Sequence, residues 1–265
     1  MNNLKSHHLL LPILNDKKSG SQDLLIKVNN ILLKNINQPE SLKEIIAVLI
    51  KSFSEFQVIN SSLVRYEKLL QKKQFGQLEN YLKESSHYFK DTYQAIFKKL
   101  YSCYSKSNFI FTLSNSRTVI EVLKLWKHQN KKIKVVVCES RPKLEGRIAA
   151  KELALNDVST YLITDAMMAG FIQKADLVLI GSDKILIDGS VINKTGSLSA
   201  AIAAKYYKKP FVVAASKQKI SKQVSYEVIE ENTKEIFHKK INKLNSVNIY
   251  FEVIPKNLIT KFVSD

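Results

Sequence analysis

Apolar positions in the first hundred residues recur at helical spacing. Leu24, Leu25, Val28, Ile31 and Leu32 make one stripe; Ile45, Ile46, Val48, Leu49 and Phe53 make another. A turn-like break falls near Asn37–Pro39, and further helices are expected over residues 60–72 and 76–100. Residues 1–105 therefore read as a helical domain. From residue 106 the texture changes. Short β-rich runs at Phe109–Leu113, Lys134–Cys138, Thr160–Thr164, Leu177–Ile180, Pro210–Ala214 and Asn248–Val253 alternate with amphipathic stretches at about 117–129, 144–155, 166–175 and 197–208. That alternation predicts βαβ units and a sheet covered on both faces. The expectation is an α/β chain: an N-terminal helical domain followed by a Rossmann-like parallel-sheet domain over residues 106–265. Asp188-Gly189, between Ile185–Ile187 and Val191–Ile192, predicts a two-residue hairpin turn.

Composition narrows the field. No apolar run approaches the ~18 residues of a membrane span. The apolar patch near the start is interrupted by Pro12 and lacks a small-residue cleavage site, so neither membrane insertion nor secretion is expected. Cys103 and Cys138 are too few for a disulfide scaffold, which points to a reducing, cytoplasmic setting. The 41 Lys+Arg against 24 Asp+Glu give a net charge of +17, almost all of it from lysine. Base-reading proteins favour arginine, and single-strand binders interleave aromatic with basic residues. Neither pattern occurs, so specific nucleic-acid binding is not expected, and the charge suits a solvated surface or a small anionic ligand.

Five of the seven glycines, Gly146, Gly170, Gly181, Gly189 and Gly196, fall between residues 146 and 196. Polar clusters follow the predicted strands: Ser114–Arg117, Glu139–Arg141, Asp165, Ser182–Lys184 and Ser216–Lys219. In a parallel sheet, ligands bind beyond the carboxyl ends of the strands. The chain has no GxGxxG after a strand, no GxxxxGK[ST], no HExxH and no GxSxG. His7-His8 and the remaining histidines make no metal cluster, and neither a metal nor a cofactor is called for.

The ordered segments Ser114-Asn115-Ser116-Arg117, Glu139-Ser140-Arg141-Pro142 with Gly146, Ile180-Gly181-Ser182-Asp183-Lys184, and Asp188-Gly189-Ser190-Val191-Ile192-Asn193-Lys194-Thr195-Gly196 carry a resemblance. Over about residues 108–265 the chain resembles the superfamily that joins the alpha, beta and delta subunits of translation initiation factor 2B with two aldose-phosphate isomerases. Those isomerases act on methylthioribose 1-phosphate and ribose 1,5-bisphosphate. A fainter match lies at Asp16-Lys17-Lys18-Ser19-Gly20-Ser21, where relatives carry a phosphate-contacting segment.

The residue types fit anion binding on their own chemistry. Ser19, Gly20 and Ser21 precede a helix whose first N–H groups can hold an anion or accept a serine cap. Ser116 and Arg117 open the next such helix. Arg141 stands at a strand end, suited to a bidentate oxyanion contact or to an internal pair with Glu139 or Glu145. Asn193 and Lys194 precede Gly196 and the helix from Ser197, and Lys219 aligns with a family lysine. The resemblance implies that Asp183 works as acid/base in the isomerases, beside a cysteine whose place is held here by Ser114. A thiol can be tuned toward neutrality, whereas a serine hydroxyl needs a strong neighbouring base, and Leu113 stands where relatives often carry a histidine. Cys138 reads as a small core residue.

Three readings stand. The first is a protein like the factor 2B alpha subunit that binds a phosphorylated sugar or nucleotide without the isomerase thiol chemistry, its ligand occupancy modulating assembly or a protein partner. The second is an aldose–ketose isomerase of a ribose phosphate with Asp183 as acid/base. The third is an interaction module with a vestigial pocket. The resemblance also implies a homodimer formed through the α/β domain.

Overall fold

The computed structural model describes residues 10–16, 19–53, 56–239 and 241–265, with only the backbone of 85–87. His7, His8, Lys17 and Lys18 lie outside the described residues. The chain divides into two compact units, one ending at Thr92 and the other running from Tyr93 to Asp265.

The first unit is helical: α1 (Ser21–Lys34), α2 (Pro39–Ser52), α3 (Gln57–Gln71) and the start of α4 (Phe75–Tyr104). Each helix buries the stripe that its periodicity marks. Leu24, Leu25, Val28 and Leu32 are buried on α1, and Leu42, Ile45, Ile46 and Leu49 on α2. Val48, expected in the second stripe, is exposed. Pro39 opens α2 at a position where its missing N–H costs nothing.

The second unit holds a six-stranded sheet of β1 (Phe109–Leu113), β2 (Lys134–Cys138), β3 (Ser159–Ile163), β4 (Leu177–Ile180), β7 (Phe211–Ala214) and β9 (Lys261–Val263). Its order is β3-β2-β1-β4-β7-β9, and every pairing is parallel. Alternate residues face opposite sides. Ile110, Val135, Val137, Leu177, Leu179 and Val212 meet α5 (Arg117–Gln129) and α6 (Glu145–Leu155) in a core that includes Trp126. Phe111, Val136, Val178, Ile180 and Val213 pack on the other face, against α7 (Met168–Lys174) and α8 (Ser197–Tyr206). Burial on both faces explains why these strands read as near-continuous apolar runs.

Two sequence expectations need correction. The run at Asn248–Val253 does not join the parallel sheet. Its strand, β8 (Phe251–Ile254), pairs antiparallel with β6 (Val191–Lys194), which pairs with β5 (Lys184–Ile185) in a separate three-stranded sheet. The sixth parallel strand is β9, too short at three residues to show a period. The β5–β6 hairpin is present, but Leu186 N donates to Ser190 O at 2.8 Å, leaving three residues in the loop rather than two. Gly189 takes φ 85° there, the left-handed region this loop length requires.

Candidate functional site

The sheet order reverses between β1 and β4, so the ends of those strands form the crevice in which open α/β sheets bind ligands. Ser114 follows β1 with a left-handed φ of 63° and donates its N–H to Ser140 Oγ at 2.8 Å. Ser140, after β2, shares that φ, and its hydroxyl donates to Cys138 O at 3.2 Å. Asp165, beyond β3, accepts from the amides of Ser140 and Arg141 at 2.9 and 2.8 Å. Two glycines allow these turns to close. A Cβ on Gly146 would stand 1.7 Å from Cys138 O, and one on Gly181 would stand 2.2 Å from Ser116 Oγ.

After β4, Gly181-Ser182 leads to Asp183, whose N–H donates to Ile192 O at 2.9 Å. The Asp183 carboxylate faces Lys219 at 3.8 Å and keeps 20% of its side chain exposed, against 6% for the lysine. Burial pushes the Asp183 carboxyl above the usual carboxylate range, despite the opposing pull of Lys219, Lys194 and Lys184. Burial likewise lowers the Lys219 ammonium, against the pull of Asp183. Both shifts say that desolvation outweighs attraction across a gap of this length. Lys184 is buried too and donates to Gln223 Oε1 at 2.9 Å.

Lys194 ends β6 and pairs with Glu145, the first residue of α6, at 2.6 Å. Its ammonium also lies 4.4 Å from the centroid of the Tyr250 ring. Tyr250 donates its hydroxyl to Glu235, which accepts from Lys143 as well. The Arg141 guanidinium reaches the Glu235 carbonyl at 3.5 Å. Arg141 and Lys194 thus flank one Tyr250–Glu235 pair, and Lys194 is near enough to pull on the Asp183 carboxyl electrostatically.

Other expected contacts are engaged within the protein. The Arg117 guanidinium pairs with Glu121 and Glu152. Glu139 pairs with Arg147 at 2.6 Å rather than with Arg141. Ser116 caps α5, accepting from Val119 N. Asn193 donates to Ser197 Oγ at 2.8 Å. The first N–H groups of α8, expected as free anion donors, are held by Glu252, which accepts from Gly196 N at 2.6 Å and Leu198 N at 2.9 Å. In the first unit, Ser19 donates through N and Oγ to Asp16, Lys27 joins them, Gly20 is the extended N-cap of α1, and Ser21 is buried.

Sequence reasoning missed the roles of Glu145, Tyr250, Glu235 and Glu252 in this network. Three of the four come from the last 31 residues and reach the site through long-range contacts that no local spacing announces. Cys138 sits in the core with its thiol pushed up to about 12, chiefly by burial, which disfavours the thiolate.

Among known proteins, the chain is 33% identical over 162 residues to the ribose 1,5-bisphosphate isomerase of Archaeoglobus fulgidus, covering 59% of this chain and 52% of that one. It spans about half the length of the relatives it matches. In structure it resembles the Pyrococcus horikoshii translation initiation factor eIF-2B, with a TM-score of 0.83, 22% identity, and 98% and 94% of the two chains covered. A chain of the tetrameric eIF2B-beta2-delta2 complex from C. thermophilum gives 0.81 at 14% identity, covering 98% and 90%. At these identities the structural likeness speaks to the fold. The family model, in contrast, matches the sequence itself over residues 5–265, and the chain belongs to the initiation factor 2 subunit family, IF-2B.

Proposed function

We propose that this chain binds a small phosphorylated sugar or nucleotide at the β1–β4 crevice and does so without thiol-based isomerase chemistry, like a factor 2B alpha subunit. The observation that carries this reading is the convergence of buried cations and carboxylates at these strand ends. Lys219 faces Asp183 at 3.8 Å and Lys194 meets Glu145 at 2.6 Å. Asp183 keeps a fifth of its side chain exposed, and an oxyanion entering at that rim would meet the cations beside it. Arg141, exposed beside the same cluster, would complete a phosphate contact.

Thermal unfolding with ribose 1,5-bisphosphate or methylthioribose 1-phosphate tests the reading. Ligand at 100 times its Kd adds about 2.7 kcal/mol, which raises Tm by roughly 5–10 °C for a chain of this size. No shift at millimolar ligand overturns binding. Two observations favour the isomerase alternative: the raised Asp183 carboxyl, which suits a group that moves protons between C1 and C2 of an opened sugar, and the isomerase relative. Turnover seen by NMR and abolished by Asp183→Asn replaces the binding-only reading with that one.

Pairing of two copies through the α/β unit is part of the same proposal. Ile202, Tyr206, Val224 and Val247 are each more than half exposed there, an apolar set that a second copy would cover. Mass measurement in solution tests this; a monomer at micromolar concentration refutes it. The two free thiols suit a reducing cytoplasm. Among the described residues, no helix is long and apolar enough to cross a membrane.

A further inference from the structure

The Glu145–Lys194 pair bears on how an anionic ligand enters the site, and the inference drawn from it rests on the ligand-binding reading above. Glu145 Oε1 holds the Lys194 ammonium at 2.6 Å, with only 8% and 5% of the two side chains exposed. The Tyr250 ring lies against the same ammonium. Lys194 is thus already neutralised from within. The second carboxylate oxygen, Oε2, is buried and meets no hydrogen-bond donor among the described residues. A buried carboxylate with one unsatisfied oxygen is an expensive arrangement, kept here only by its ion pair.

The groups around Glu145 decide its fate when a second anion arrives. Lys194 meets it from β6, and the Asp165 carboxylate, in the turn after β3, and Tyr250, just before β8, are near enough to act on it electrostatically. On α5, which packs against α6, Arg117 and Lys124 are spent on Glu121 and on Glu152, two turns along α6. Among the described residues, no cation from that side compensates Glu145. A phosphate that takes Lys194 would leave the carboxylate between Asp165 and the ligand, two negative neighbours in a site shielded from water.

We infer that Glu145 is a built-in competitor for Lys194, which an incoming oxyanion displaces while Glu145 takes up one proton from solvent. The step breaks one ion pair and forms another. The proton neutralises the released carboxylate and turns it into a hydrogen-bond donor toward the ligand, with no other bond made or broken. Burial and Asp165 already raise the Glu145 carboxyl in the free protein, which favours that protonation. Glu145 therefore sets the charge the site accepts, and ligand affinity is linked to pH through it.

Calorimetric titration of the full chain with ribose 5-phosphate at pH 8 tests this, because a phosphate with its second pKa near 6 is then fully ionised and contributes few protons of its own. Running it in two buffers of different ionisation enthalpy counts the protons taken up. The wild-type protein is expected to take up close to one proton per ligand, and Glu145→Gln close to none. Glu145→Gln should also bind on the order of tenfold more tightly at pH 8, with the gap closing toward pH 6. Equal proton counts in the two proteins, weaker binding by Glu145→Gln, or a wild-type count near zero overturns the inference while leaving the site intact. Absence of binding in both proteins at every pH overturns the parent reading, and this one with it.

Discussion

Replacing Gly146 by alanine tests how tightly α6 is seated on the end of β2. The new Cβ would lie 1.7 Å from the carbonyl oxygen of Cys138, 2.8 Å from its carbon and 3.0 Å from the carbonyl carbon of Glu139. All three are backbone atoms, so no side chain can rotate away. The helix start and the strand end must part by about 1.3 Å or more to relieve the closest contact. Overpacking costs about 1–3 kcal/mol, and a backbone clash belongs at the upper end. The parting also strains the bond from Gly146 N to Glu139 O, now 3.1 Å, worth about 1 kcal/mol. The ~0.5–1 kcal/mol that alanine gains over glycine in a helix offsets part of this. The net loss is about 3 kcal/mol, or a Tm lowered by roughly 6–12 °C. Trp126, the only tryptophan, lies fully buried in the α/β core, so its fluorescence follows this unit. Two other glycines serve as comparisons. Gly170→Ala has open space around it and should leave Tm level or slightly raised. Gly181→Ala meets Ser116 Oγ, which can rotate, and Ser116 Cβ at 2.7 Å, which cannot, and should be destabilising but less so than Gly146→Ala. A Gly146→Ala protein melting within about 2 °C of wild type would refute the close approach of α6 to β2, because that contact alone supplies the penalty.

Three further outcomes rest on the same geometry. Glu252→Ala strips the acceptor from Gly196 N and Leu198 N and should cost about 1–2 kcal/mol, read as faster amide exchange in the first turn of α8; unchanged exchange would show the cap to be idle. The Asp183 carboxyl is raised in the folded protein, so its contribution to stability is complete below the ordinary carboxylate value and is lost as pH rises through its folded value. The double variant Asp183→Asn, Lys219→Met lacks that loss, so its urea midpoint should gain on wild type between pH 4 and pH 7, and a constant difference would contradict the assigned direction. With a disulfide reagent at neutral pH, Cys103 should react readily, because the exposed thiol is drawn down by its bonds to Lys261 and Ser102, whereas Cys138 should stay silent until denaturant is added; two fast thiols would refute the placement of Cys138.

The parts of this protein legible in its sequence are those whose cause is local. Phe109–Leu113 and Lys134–Cys138 are readable as strands because both faces are buried and every position is apolar or nearly so. Arg117–Gln129 is readable because its stripe of Val119, Val122, Leu123 and Trp126 repeats at helical spacing. Strand β9 is not, since three residues carry no period, and β8 falls to the wrong sheet because β propensity does not name a partner. The site divides in the same way. Asp183 and Lys194 stand out at strand ends, and Lys194 is near enough to act on the Asp183 carboxyl electrostatically. Which cations are already matched depends on carboxylates far along the chain. Arg117 looks like a ligand contact until Glu152, 35 residues later, is found against it, and the N-terminus of α8 looks open until Glu252 is found filling it.

The long reach of these carboxylates bears on how the chain is assembled during synthesis. Asp176 ties down the amides of Asn108 and Phe109 from 68 and 67 residues downstream, and Glu252 secures the start of α8 from 56 and 54 residues downstream. A ribosome adding about 5–20 residues per second reaches Glu252 several seconds after it has made the helix that Glu252 completes. Until then the acceptor that meets Gly196 N and Leu198 N in the folded protein has not been made. The start of α8 is therefore among the last parts of the molecule to be completed, and a chain stalled before Phe251 carries the parallel strands β1, β2, β3, β4 and β7 without a finished rim.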